Sequence, residues 1–280
     1  MIAEIEKIIK NAIEEDLGDG DHTSLACIPA DAQGKAKLLV KEKGIIAGIE
    51  LAKVVFHQID KDLKIEQLMV DGAEVVPGDV AFYVTGSSRS ILSAERIVLN
   101  FMQRMSGIAT STFEMVEAMD SSTCKLLDTR KTTPGVRIIE KWAVRIGGGE
   151  NHRMGLFDMI MLKDNHIDFA GGIEKAIHRT HNYLKELGKS LKIEIEARSI
   201  KDVEEILRIG GVDRIMLDNF SPELMKKAVD LIGGRFETEA SGMINHSTIK
   251  LYANTGVDYI SSGALTHQIK SLDLSLKSVV

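Results

Sequence analysis

Apolar residues recur at helical spacing over residues 1 to 16, where Ile2, Ile5, Ile9, Ala12 and Ile13 share one face. The run Asp16-Leu17-Gly18-Asp19-Gly20-Asp21 breaks that helix. Between 34 and 90 the pattern changes to short strands, at 36–40, 45–47, 64–68 and 80–84. Asp71-Gly72, Pro77-Gly78-Asp79 and Gly86 supply the turns between them. Helical spacing returns over 93–119, with Ser93 placed as N-cap and Arg96 in the first turn. The stripe Ile97, Val98, Phe101, Met102 and Met105 reads as core rather than as cofactor contact.

From 124 onward strand, loop and helix alternate. Strands are expected at 125–127, 159–162, 192–196, 214–217, 236–239 and 258–260, and helices at about 136–146, 171–187, 200–209, 222–232 and 245–254. Alternating β and α implies a parallel sheet covered by helices. Four strands start about 21 to 22 residues apart, near the spacing of a βα barrel. Asp128, Lys163, Glu196, Asp218, Ser241 and Ser262 mark the strand ends. No GxGxxG follows the first strand, so a closed or nearly closed barrel of six βα units is favoured over a doubly wound sheet. The expectation is an α/β protein in two parts. An N-terminal α/β sandwich-like domain takes 1–112, and an atypical βα barrel with fewer than eight strands takes 113–264. The tail at about 265–280 is expected to return to the first domain.

Composition sets the class. A hydrophobic content of 44% and a charged content of 27% suit an ordinary globular protein, with an aliphatic core since aromatics are only 5%. Net charge of -6 and no basic run argue against nucleic-acid binding. Cys27 and Cys124 are far apart without a CxxC, which fits a reducing compartment and excludes a thiolate zinc site. No apolar stretch is long enough to span a bilayer. Met1-Ile2-Ala3-Glu4-Ile5-Glu6 lacks signal-peptide character, so a cytoplasmic location is expected. Asp71 to Asp79 resembles lipoyl-type β-modules, but no lysine at a hairpin tip supports a carrier role.

Charge distribution changes the picture. Against the acidic whole, residues 129–163 hold Arg130, Lys131, Arg137, Lys141, Arg145, Arg153 and Lys163 against only Glu140, Glu150 and Asp158. Arg137, Lys141 and Arg145 fall on a helical pattern and read as solvated charge. Arg130, Lys131, Arg153 and Lys163 fall at loop and strand ends, where Arg clamps and Lys point charges suit a small, highly charged anion. Glu194 and Glu196 lie two apart on one strand and point to one face, with Glu196 nearer the C-terminal end. Glu196 with Asp218 on the next strand suits Mg²⁺ or sugar hydroxyls, and a salt bridge with Arg198 or Lys163 is the plainer alternative. Ser241-Gly242 and Ser262-Gly263 follow the last two strands, where barrels bind phosphate. His152 and His166 form no HxH or HExxH pattern and are assigned hydrogen bonding to substrate or structure.

These residues resemble the quinolinate phosphoribosyltransferase family. The matching pieces are Glu15 to Ser24, Ala94-Glu95-Arg96, Asn100, Ser106 to Thr110, Asp128 to Gly135, Gly148 to Arg153, Lys163 to His166, Leu217-Asp218-Asn219 and Ala240-Ser241-Gly242. Where such families usually show SGG, this chain has Ser241-Gly242-Met243. The resemblance implies decarboxylating phosphoribosyl transfer from phosphoribosyl pyrophosphate to quinolinate in NAD synthesis, with Mg²⁺, by a homodimer whose site the partner's N-terminal domain completes. By carry-over Arg96 reaches the neighbour's site, while Arg130, His152 and Arg153 bind the dicarboxylate. Lys131 and Lys163 then meet carboxylate and phosphates and count with Glu196 and Asp218 as the catalytic set. Glu196 and Asp218 serve the ribose and Mg²⁺-pyrophosphate end, and Ser241, Gly242, Ser262 and Gly263 cradle the 5-phosphate. The alternatives are a paralogue acting on another anionic acceptor, a sugar-phosphate lyase or isomerase using Lys163, and a non-enzymatic anion sensor.

Overall fold

The alternation of short apolar runs resolves into two units, one built on an antiparallel sheet and one on a parallel sheet. The computed structural model describes residues 2–120 and 123–279; Met1, included in the expected first helix, lies outside them, as does the side chain of Ile2. In chain order the first elements are α1 (Ile2–Leu17), α2 (His22–Cys27), β1 (Gln33–Val40), β2 (Gly44–Ile45), α3 (Ile49–Ile59), β3 (Lys64–Gln67), β4 (Glu74–Val75), β5 (Val80–Ser87) and α4 (Ser88–Ala118). The parallel part follows with β6 (Lys125–Leu127), α5 (Arg137–Ile146), β7 (Ile160–Leu162), α6 (Asp164–Ala170), α7 (Ile173–Leu187), β8 (Ile193–Ala197), α8 (Ile200–Ile209), β9 (Arg214–Asp218) and α9 (Pro222–Ile232). The chain ends with β10 (Glu237–Ser241), α10 (Ile249–Ala253), β11 (Tyr259–Ser261), α11 (Ala264–His267) and β12 (Leu274–Ser278).

One unit gathers residues 1–113, 132–148 and 265–280. Its sheet runs β12-β1-β5-β3, all antiparallel, so the C-terminal tail enters as the edge strand beside β1. Leu38, Val40, Phe82 and Val84 face the core, where Phe56 of α3 meets Phe82 edge-on at 5.9 Å. Helix α3 is absent from the sequence reading. Its N-cap is Gly48 at φ 97 with no side-chain cap, so it has no start signal. A Cβ at Gly48 would lie 3.0 Å from the Met105 sulfur, and the glycine lets α3 start against α4. Helix α4 begins five residues before the expected cap, and Ser93 lies inside it with its hydroxyl donating to Asp21 at 3.2 Å. Met102 and Met105 are fully buried, as core residues should be.

The other unit gathers 114–131 and 149–264. The segment 132–148, expected within the barrel, groups instead with the first unit. There Arg104 donates to the buried Glu140 at 2.8 Å and to the Thr133 hydroxyl at 2.8 Å, which ties α5 to α4. Lys141, read as solvated charge, is fully buried.

Six parallel strands form the second unit's sheet in the order β6-β11-β10-β9-β8-β7. Edges β6 and β7 are consecutive in sequence, so the order is that of a βα barrel with a seam between them. A parallel bridge from Leu127 to Glu150 lies at the β6 side. All five residues of β8 are buried although Glu194 and Glu196 alternate with Ile193, Ile195 and Ala197. Both faces are therefore covered, and the carboxylate face meets other polar groups rather than water. Strands two apart lie about 9.6 Å from each other on a flat sheet. Yet Glu194 of β8 and Glu239 of β10 approach the same His152 nitrogen at 3.0 and 3.3 Å. That face is concave, as closure toward a barrel requires.

Candidate active site

A cavity of about 290 Å³ opens on the C-terminal side of the parallel strands. Thr129, Arg130, Lys131, His152, Arg153, Lys163, Glu239, Ser241 and Ser261 line it. The first unit holds another cavity, of about 340 Å³, between Ile8, Ala12, Ile97 and Phe101 with Glu15 and Asp16. That wall carries acids and no cation, so it does not suit an anionic ligand.

Each cation is placed by local structure. Asp128, fully buried after β6, accepts the His152 N–H at 2.8 Å and the Asn151 amide at 2.6 Å. This draws 151–153 against the strand end that carries Arg130 and Lys131. Arg153 is half-buried, and Nη1 donates to the Met159 carbonyl at 3.1 Å. Burial first, then the charge of Arg130, holds the Arg153 pKa below the usual guanidinium value. Two guanidiniums that repel each other in one wall favour an anion between them. Lys163 is the N-cap of α6, and its N–H donates to His166 Nδ1 at 3.0 Å. His166 is a capping residue, and Lys163 Nζ is left exposed at the rim.

The structure brings Arg130, Lys131, His152, Arg153, Lys163 and Ser241 to one cavity. Glu196 lies beside it, 3.9 Å from Lys163 Nζ. Burial and then the charge of Asp218 push the Glu196 carboxyl above its ordinary 4.5. Arg198 pairs with Asp168 instead, at 2.9 Å. A pair of neighbouring carboxylates, one of them costly to ionise, suits a hard divalent cation with oxygen ligands. Arg96 is exposed on α4 in the first unit.

Gly242 sits at φ 104, and a Cβ there would fall 2.2 Å from Asn219 Oδ1. Asn219 N–H donates to the Ser241 carbonyl at 2.8 Å. The loops after β9 and β10 therefore interlock, and only glycine allows the approach. Met243, where a third motif residue would stand, is at φ 48 and 87% exposed.

Three expected ligand residues are placed otherwise. Ser262 faces inward: its N–H donates to the Leu127 carbonyl at 3.0 Å and its hydroxyl to the Ile244 carbonyl at 2.7 Å. Both donors are committed to holding β11 and the following turn, so Ser262 is not a phosphate ligand; Ser261 is the serine in the cavity wall. Gly263 is half-buried and outside that wall. His152 lines the cavity, but Nδ1 accepts the Arg153 N–H at 2.7 Å and Nε2 faces Glu194 and Glu239. Nδ1 is thus taken, and Nε2 is directed to the acidic side of the cavity rather than to its cationic wall.

Sequence reading missed the floor of the cavity. Glu239 is fully buried and accepts from Arg214 Nη1 at 2.9 Å and from the Ser261 hydroxyl. Arg214 also bonds Glu237 at 3.1 Å and lies over the Tyr259 ring, 3.8 Å from its centre. Glu194 was passed over for Glu196. Burial, then the charge of Glu239, raises the Glu194 carboxyl. For His152, burial opposes the imidazolium, while the buried carboxylates of Glu194 and Glu239 favour it and push its pKa up. The Arg153 N–H opposes that charge in turn, because Nδ1 accepts a hydrogen bond only while it carries no proton. In the geometry observed the ring is the neutral Nε2–H tautomer. Among the described residues, His152, Glu194 and Glu239 are the one group of such side chains close enough to share an ion. Arg214 already supplies a positive charge beside it. A signal did exist: Glu237 and Glu239 alternate in a strand as Glu194 and Glu196 do.

The family models for the N-terminal and C-terminal domains of quinolinate phosphoribosyl transferase match residues 21–106 and 108–277. A Nicotiana tabacum protein named quinolinate phosphoribosyltransferase [decarboxylating] 1b is 49% identical, with 98% of this chain and 82% of that protein covered. A Bacillus subtilis protein named probable nicotinate-nucleotide pyrophosphorylase [carboxylating] is 40% identical, with 98% and 93% covered. Among solved structures, NadC from Streptococcus pyogenes superposes with a TM-score of 0.94 at 41% identity, covering 100% of this chain and 99% of that one.

Proposed function

The chain belongs to the quinolinate phosphoribosyltransferase family, and from that premise we infer that it transfers the phosphoribosyl group of phosphoribosyl pyrophosphate to quinolinate with loss of CO₂. The product is nicotinate mononucleotide, in NAD biosynthesis. The observation that carries this reading from the chain's own residues is the clustering of Arg130, Lys131, Arg153 and Lys163 around one cavity in a protein of net charge -6. Both substrates are multiply anionic, and only dense cationic compensation brings them together.

In the proposed mechanism Arg130 and Arg153 clamp the acceptor's carboxylates, and Lys131 and Lys163 meet the carboxylate and phosphate oxygens between the substrates. The pyridine nitrogen then attacks ribose C1 as the bond to pyrophosphate breaks. Positioning and electrostatics supply most of the acceleration. The ring nitrogen becomes cationic. It stabilises the electron pair left on the adjacent carbon when its carboxylate departs as CO₂, and a proton then fills that position. Ser241 and Gly242 hold the 5-phosphate. Glu196 and Asp218 would hold Mg²⁺, which would supply charge neutralisation for the pyrophosphate group.

We place Arg96 in the site of a second copy, in a homodimer. Mixed Arg96→Ala and Lys163→Ala subunits, each inactive alone, are then expected to regain up to about a quarter of wild-type activity by random pairing, since one of the two sites in each mixed dimer is intact. Failure to regain any, with mixed dimers verified by mass, counts against the shared site. A cytoplasmic location is likewise a proposal; no helix among the described residues is long and apolar enough to cross a membrane. Relatives from tobacco and Arabidopsis carry mitochondrial and chloroplastic names.

The reaction itself is tested by CO₂ and pyrophosphate release. Stoichiometric release of both with quinolinate, and none with nicotinate, is expected. Silence with quinolinate directs the search to another anionic acceptor.

A further inference from the structure

The imidazole of His152 is held at both ends. Nδ1 accepts the Arg153 N–H at 2.7 Å, and Nε2 lies 3.0 Å from Glu194 Oε2 and 3.3 Å from Glu239 Oε2. Since Nδ1 is an acceptor, the ring proton belongs on Nε2, which lies within 3.3 Å of two carboxylates. The same histidine thus joins a buried acidic floor to the backbone of the arginine in the cavity wall.

We propose that Glu194 and Glu239 are positioning residues for the acceptor half of the reaction: they hold His152 as its neutral Nε2–H tautomer, and His152 holds the Arg153 backbone in place. The proposal rests on the reading above, in which Arg153 meets an acceptor carboxylate.

The groups packed around the ring support it. Glu239 on β10 is held by Arg214 of β9 and by the Ser261 hydroxyl of β11, so its carboxylate has a fixed direction. Glu194 on β8 is fully buried, and among the described residues no donor other than the His152 ring faces either of its oxygens. A buried carboxylate with that single neighbour is costly unless the contact is used. From the other side Asp128 at the end of β6 fixes the His152 backbone. These contacts restrain the ring, and Nδ1 links it to the Arg153 backbone. A proton added to Nδ1 would set two donors against each other and break that link. Arg153 would then lose its backbone restraint, keeping only the bond from Nη1 to Met159. The phosphoribosyl side, at Ser241 and Gly242, has no part in this chain of contacts.

The test pairs spectroscopy with kinetics on the full-length protein. Long-range ¹H–¹⁵N spectra of histidine-labelled protein, with His152 assigned by a His152→Gln variant, are expected to show the neutral Nε2–H form at pH 7.5. Glu194→Gln and Glu239→Gln keep the shape of each side chain and remove its charge. Each is expected to raise KM for quinolinate roughly ten- to hundredfold, as sub-ångström misplacement of a binding group does, while KM for phosphoribosyl pyrophosphate stays within about twofold. An imidazolium at pH 7.5 in the wild type overturns the proposal. So do KM values that rise in proportion for both substrates, or that do not move. Should neither variant fold, the wild-type spectrum decides between the neutral Nε2–H form and the imidazolium. Because the spectrum needs no turnover, a wild type silent with quinolinate would sink the acceptor assignment and leave the tautomer result standing.

Discussion

Replacing Arg130 with alanine is expected to lower kcat/KM for quinolinate by about 10²–10⁴-fold, because a bidentate clamp supplies two charge-assisted hydrogen bonds of about 1.5–3 kcal/mol each. The geometry behind this is the pairing of Arg130 with Arg153 in one wall of the cavity. Their mutual repulsion already lowers the Arg153 pKa, after the larger effect of burial. A dicarboxylate relieves that repulsion and gains both guanidiniums, so its affinity should depend steeply on each. The loss should sit mainly in KM for quinolinate, with KM for phosphoribosyl pyrophosphate changed little. A thermal-shift titration separates binding from chemistry: quinolinate should raise the melting temperature of the wild type and leave Arg130→Ala unmoved. Arg130→Lys keeps the charge and loses the planar fork, so it should fall between the two. Unchanged turnover and KM in Arg130→Ala would remove Arg130 from acceptor recognition.

Much of this site is legible in the sequence because loops after parallel strands gather at one end of the sheet. Strand ends at 128, 163, 218 and 241 can be read from alternation alone, and the structure brings Arg130, Lys131, Arg153 and Lys163 to the same cavity. What escaped reading lies under that surface. A strand such as β8 alternates Ile and Glu, a pattern that ordinarily means one wet face, yet every residue is buried. Alternation reports which residues share a face and not what covers that face, so Glu194 passed for a weaker copy of Glu196. Ser262 fails for a related reason: a serine after a strand looks the same whether its hydroxyl faces a ligand or closes the turn onto Ile244. Helix α3 was lost because Gly48 starts it by yielding space to Met105 rather than by capping. In each case the deciding contact comes from a segment distant in sequence.

Glu196→Gln is expected to separate function from stability in opposite directions. Glu196 is 7% exposed, and burial, then Asp218, raises its carboxyl pKa above 4.5, with Lys163 opposing weakly from 3.9 Å. A raised pKa means that the folded protein prefers the protonated group. The favourable contribution is fully present below the unfolded value near 4.5 and is lost as pH rises through the raised folded value. Near pH 8 the wild type therefore carries an ionised carboxylate that folding disfavours, and the glutamine carries none. The variant should melt above the wild type at pH 8, and the difference should shrink as pH falls toward 4.5. Activity should move the other way, falling about 10²–10³-fold as an electrostatic contact to the leaving group is lost, with more Mg²⁺ needed for half-maximal rate. Destabilisation at pH 8 with activity retained would instead make Glu196 a structural partner of Lys163. On the proposed reading, a carboxylate that costs stability beside a second carboxylate, at the rim of a cationic cavity, would serve a cation during turnover rather than the exposed lysine 3.9 Å away.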